Sequence, residues 1–225
     1  TYQNLITPLT PNNVNMWKEL YALINKANIA IAGFSGAGTS GVLTSTVAND
    51  YVAQCLFLRA MAHHELLLHF ARPYADNNGA SLGVPYRDFA IESQASVELA
   101  KTKPRESVAD CYTKILADLD FAETNLSLGT AGNGVSTYYA TKAAAIALKM
   151  RIKLHKGDWP GVITDGNKLI PAAINPQSWT TVVSPIGGWQ LTNAADGPFT
   201  DNASKESIFS IKHDALDNAS KNETL

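Results

Sequence analysis

Arg105-Glu106-Ser107-Val108-Ala109-Asp110-Cys111-Tyr112-Thr113-Lys114-Ile115-Leu116-Ala117-Asp118-Leu119 is the stretch that decides the fold. Apolar residues recur at Val108, Tyr112, Ile115, Leu116 and Leu119, and the pattern runs on to Ala122. Steps of three and four place them on one face of a helix. Ser107, with Asp110 three residues on, makes a capping box at its start. The segment therefore predicts a helix over about 107–124 whose apolar stripe needs a neighbour. Asp110, Asp118 and Asp120 are expected on its solvated face.

Working toward the N-terminus, the region about 47–70 is apolar on almost every side (Val52, Cys55, Leu56, Leu58, Met61, Leu66, Leu67, Phe70), which marks a buried helix. Before it, Trp17, Leu20, Tyr21, Ile24 and Ile31 predict a helix over about 16–32, with Trp17 in the core and the run Gly33–Gly41 as its stop. Residues 72–104, with Pro73, Gly79, Gly83, Pro85 and Pro104, read as loop. Toward the C-terminus, 127–136 is a Gly/Ser/Asn loop, and an alanine-rich helix follows over about 138–156. Gly157 ends it, and Asp158 with Pro160 opens a last helix over 159–170. Residues 171–225 carry little helical signal, although Ser207–Lys212 alternates as a strand would. The expected fold is all-α, with antiparallel helix pairs stacked as a tetratricopeptide-like right-handed superhelix over 1–170. A loop-rich segment over 171–225 completes the chain.

Composition narrows the function. Of 225 residues, 45% are hydrophobic and 17% charged, as in a folded globular chain. Lys plus Arg is 18 against 20 Asp plus Glu, a net charge of -2, which excludes nucleic-acid binding driven by phosphate neutralisation. Cys55 and Cys111 lie in apolar helical patterns and read as small core hydrophobes. No run approaches the roughly 18 apolar residues of a membrane span. The chain opens on Thr1, so it is expected to begin inside a longer product.

The motifs that suggest chemistry lack its geometry. Gly36-Ala37-Gly38-Thr39-Ser40-Gly41 spells GxGxxG, but no strand precedes it and no acidic residue about 20 positions on completes a dinucleotide site. It reads as loop. His63-His64-Glu65 with His69 misses the HExxH spacing, because a five-residue step turns the two imidazoles to different faces. These histidines are expected at helix contacts or on the rim, with Glu65 and His69 as an (i, i+4) pair. No serine sits in a strand-to-helix GxSxG elbow, since Gly79-Ala80-Ser81-Leu82-Gly83 falls in loop sequence, and no two carboxylates are singled out. No catalytic residue, metal or cofactor is assigned. Trp179 and Trp189 lie in Gly/Pro-rich sequence, where rings can stack on sugar faces, and they are the ligand-contact candidates.

Five elements in order resemble the SusD/RagB family of outer-membrane nutrient-binding lipoproteins of the Bacteroidota. They are Trp17 through Ala27-Asn28; Phe57-Leu58-Arg59-Ala60 with Arg72-Pro73-Tyr74 and Leu82-Gly83-Val84-Pro85-Tyr86; Arg105 through Leu119; Thr141 through Arg151 with Gly157-Asp158-Trp159; and Glu206 through Ile211. The resemblance implies the helical N-terminal portion of a longer protein whose signal and lipid-bearing cysteine lie outside this chain. It implies cell-surface binding of glycans or other oligomeric nutrients, for uptake through a SusC-like TonB-dependent transporter. No nucleic acid is implied as partner, and the membrane only through the lipid anchor. The alternatives are a helical-repeat interaction scaffold without a ligand site and, less favoured, a glycoside-processing enzyme.

Overall fold

A computed structural model of the chain describes residues 7, 9–170, 182–192 and 203–211. Six α-helices lie among the described residues: α1 (Pro11–Thr39), α2 (Ser45–Phe70), α3 (Gln94–Thr102), α4 (Val108–Asn125), α5 (Lys142–Lys156) and α6 (Trp159–Leu169). Two short 3-10 turns, Asp76–Gly79 and Ser136–Tyr138, sit in the connections. α1 packs on α2, α2 on α4, α4 on α5 and α5 on α6, so the all-α stack of helix pairs is what forms. α3 stands in the long connection between α2 and α4.

The starts of the helices follow from their caps. Thr44, Ser107, Thr141 and Asp158 each accept a backbone N–H from three residues on, which satisfies one of the orphan donors of the first turn. At Ser107 the box closes differently from expectation. The hydroxyl caps the Asp110 N–H at 3.0 Å and donates to the Asp110 carboxylate at 2.6 Å. Gly157, at φ 80, ends α5 in the left-handed conformation that glycine adopts without penalty. It turns the chain straight into α6.

One contiguous core joins the helices. Ile24 of α1, Ala53, Phe57 and Leu66 of α2, Tyr112, Ile115 and Leu119 of α4, and Ala144 and Ile152 of α5 belong to it. Ala143, Ala144 and Ala145 are all buried, and such small side chains let neighbouring helices approach closely.

Four expectations are corrected. The glycine run does not stop α1, which extends through Gly33, Gly36 and Gly38 to Thr39. At Gly38 the reason is packing: a Cβ there would lie 2.7 Å from the Ala48 Cβ, so α2 approaches where only glycine fits. The GxGxxG segment is thus mostly the C-terminal end of a helix, whose carbonyl dipoles repel phosphate. Within 72–104 a short helix forms, started by Ser93 and Ser96 capping each other. Asp118 is not solvated but buried, for reasons that belong to the site below. The strand over Ser207–Lys212 does not form in its described part. Ile208 and Phe209 instead turn into the core, and the Ser210 N–H donates to the Thr137 carbonyl at 2.8 Å.

Candidate functional site

α1 and the segment 85–91 form the walls of a groove, and a buried polar network fixes that segment in place. Arg59 of α2 forms a two-pronged ion pair with Asp118 of α4, at 2.6 and 2.8 Å. Its third donor reaches the Asn28 Oδ1 of α1 at 2.8 Å, and the Tyr86 hydroxyl donates to Asp118 at 2.8 Å. Burial raises the Tyr86 phenol well above its ordinary pKa, so it stays a neutral donor. The Asn28 amide nitrogen donates to the carbonyls of Arg87 (3.1 Å) and Phe89 (3.0 Å). One turn earlier, Asn25 accepts the Ile91 N–H at 2.8 Å and donates to its carbonyl at 3.2 Å.

His63 completes the network. Its Nε2 accepts the Arg87 N–H at 3.1 Å, which leaves the proton on Nδ1, aimed at the Arg59 carbonyl 3.0 Å away. The ring stacks on Tyr86 with centroids 3.8 Å apart. Burial lowers the His63 pKa to about 3, so the neutral form is held. His64, also buried, faces His155 of α5 at 3.1 Å. Burial, with the His155 and Arg151 charges, lowers its pKa to about 4. His69 sits on the rim, 3.7 Å from Glu65.

The groove has two lobes that share Trp17 and Lys18. The first, about 460 Å³, is lined by Trp17, Lys18, Tyr21, Asn25, Arg87 and Ile91 among others. The second, about 510 Å³, lies toward Thr7, Asn13, His69 and Phe70. Trp17 is half-buried: it packs edge-on against Phe70 (centroids 5.0 Å) and tilted against Tyr21 (4.8 Å) while lining both lobes. The Tyr21 hydroxyl donates to the Pro85 carbonyl at 2.8 Å, and burial raises its pKa. The groove thus offers aromatic surface beside the cationic donors Lys18 and Arg87, the composition of a small-molecule site. No nucleophile is placed beside a base within it. Among the described residues no group of three or more His, Cys, Asp and Glu could hold a metal ion.

A separate cleft, about 590 Å³, lies at the other end of α1, roughly 26 Å away by helix rise. Phe34, Tyr51, Tyr138 and Tyr139 line it. Its amide, Gln54, is already spent on Ala140, donating at 2.7 Å and accepting at 2.9 Å.

Of the two sequence candidates, Trp179 lies outside the described residues. Trp189 is 5% exposed and packs with Ala143, Ile146 and Leu169 in a small second core. It lines an apolar cavity of about 230 Å³, and its indole Nε1 is sealed off without a hydrogen-bond partner among the described residues. The residues that sequence reasoning missed are Lys18, Asn25 and Arg87. Trp17 was legible only as core, because it leads an apolar stripe. Arg87 directly follows the Leu82–Tyr86 motif, but only the fold shows that it reaches a groove.

A family described as SusD-like, starch-binding and associating with the outer membrane matches residues 1–154. A SusD-like protein of Formosa agariphila is 25% identical over 211 residues, which cover 94% of this chain and 36% of the relative. A SusD superfamily protein from Bacteroides fragilis is 29% identical with a TM-score of 0.63, over 76% of this chain and 37% of that one. Another, from Bacteroides thetaiotaomicron, is 23% identical with a TM-score of 0.69, over 95% of this chain and 44% of that one. The chain therefore spans less than half the length of these relatives.

Proposed function

This chain belongs to the SusD-like family, and from that premise we propose that it binds oligosaccharides or polysaccharides in the Trp17 groove. In this reading it is the helical part of an outer-membrane nutrient-uptake protein, and it captures glycan without chemistry of its own. Residues 1–170 serve as the helical domain and 171–225 as the start of a second region. The observation that carries the reading is Trp17, a half-buried ring that lines both lobes, with Lys18 shared between them and Arg87 in the first. A pyranose has an apolar face for such a ring and a rim of hydroxyls for such donors. The buried position of Trp189 favours its pinning the C-terminal loop over its stacking on a sugar. Trp179 and Trp189 stay second-choice ligand contacts.

Delivery to a SusC-like TonB-dependent transporter is part of the same proposal. A partner surface is favoured by α6, which exposes Trp159 (62%) and Ile163 (63%) one turn apart on one face. That face also supports the second reading, a scaffold that binds protein alone.

Affinity electrophoresis through a panel of polysaccharides separates the two. Retardation by at least one glycan, lost in Trp17→Ala and kept in Trp159→Ala, is the expected result. If no glycan retards the chain, the scaffold reading replaces this one. Digestion of any retarding glycan, abolished by changing one carboxylate, would make the protein an enzyme instead.

A further inference from the structure

We infer that the Trp17 groove selects glycans that carry an anionic group, a uronate carboxylate or a sulfate, through Arg87 and Lys18. The inference rests on the glycan-binding reading and adds the ligand's charge to it.

Arg87 is held by its backbone at both ends. Its N–H donates to His63 and its carbonyl accepts from Asn28, so its Cα has little freedom beside the first lobe. Its side chain lines that lobe and makes no hydrogen bond or ion pair among the described residues; only Nη1 is sealed from solvent, so Nε and Nη2 are the donors that a ligand can meet. A guanidinium is always charged, and here it stands beside an open groove without a counter-charge. Arg59, about one turn before His63 on α2, shows what this chain does with a buried guanidinium elsewhere: it meets a carboxylate two-pronged.

The described residues supply Arg87 with no such acid. No residue lining either lobe is acidic. Asp88, next in sequence, is 2.7 Å from Lys103, and burial notwithstanding, that ammonium holds it ionised and engaged. Glu65, near the second lobe, faces His69. Lys18, exposed where the two lobes meet, makes no ion pair among the described residues and adds a second positive charge. This local excess stands against a net charge of -2, so general attraction of polyanions by the whole surface does not account for it. A planar sugar-borne carboxylate or a sulfate is the complement that a guanidinium takes best.

The test compares the whole chain's affinity for trigalacturonate with that for its fully methyl-esterified form, which keeps the sugars and removes the charge. A sulfated galactan oligosaccharide and its desulfated form make the second pair. At low salt, the charged member of at least one pair is expected to bind ten-fold or more tightly than its neutral form. Whichever pair responds identifies carboxylate or sulfate. Arg87→Gln should abolish the difference between the charged member and its neutral form, whatever it does to neutral binding, and Lys18→Gln should narrow that difference. Equal affinity within both pairs overturns the inference alone, as does a charge preference that survives in Arg87→Gln. Failure of every glycan to bind, or binding indifferent to Trp17→Ala, overturns the glycan reading itself.

Discussion

Arg59 and Asp118 depend on one another, because each is buried and each is the other's counter-charge. Removing one leaves the other charged in a dry site, at a cost of about 3–5 kcal/mol. Asp118→Ala also strips the Tyr86 hydroxyl of its acceptor. It should therefore lower the denaturant midpoint strongly, whereas Asp120→Ala, whose carboxylate is mostly exposed, should barely move it. His63 and His64 set a pH dependence. Their folded pKa values, about 3 and about 4, lie below the ordinary value near 6.5, so the unfolded chain binds more protons between these limits. The contribution is fully present above pH 6.5 and is lost as pH falls toward 3–4. Each histidine adds a slope of up to about 1.4 kcal/mol per pH unit within that window. Unfolding free energies measured from pH 7 to pH 4 should show the slope, and His64→Gln should flatten it. Grouping Asp118 with Asp110 and Asp120 as charges of one amphipathic helix could not show its burial. Asp118 shares the α4 face with Ile115 and Leu119 closely enough to enter the core, and only a partner 59 residues away makes that tolerable.

At the scale of elements, α4 was legible to within a residue at each end because cap, stripe and length agree. α1 was not. Its glycines are local helix breakers, costing about 1 kcal/mol each against alanine, yet packing along α2 carries the helix through them. That gives a paired prediction. Gly33 meets nothing within 4 Å of an added Cβ, so Gly33→Ala should raise stability by roughly 0.5–1 kcal/mol. Gly38→Val should lower it by about 1–3 kcal/mol, since its side chain would meet Ala48. Thermal melts of both variants check the pair. Were the segment a loop, Gly33→Ala would bring no gain. The segment 85–91 escaped the sequence for a different reason. It has no periodicity of its own and takes its path from Asn25, Asn28 and His63, side chains on two helices that the chain visits much earlier.

For the whole molecule, the stacked helices form a frame, and the groove arises where one long connection is tied across α1. The order of five sequence elements was enough to expect that frame. The groove was invisible because it depends on where Trp17, Lys18 and Arg87 meet, a distance of some 70 residues along the chain. Chemical-shift mapping of the isotope-labelled chain tests the central claim most directly, because its four tryptophans give separate indole N–H signals. On adding a glycan that retards the protein, the account predicts that the Trp17 signal moves most, with backbone changes at Lys18, Asn25 and Arg87. The largest shift at Trp179 or Trp189, or changes confined to the cleft around Tyr51 and Tyr139, would contradict it.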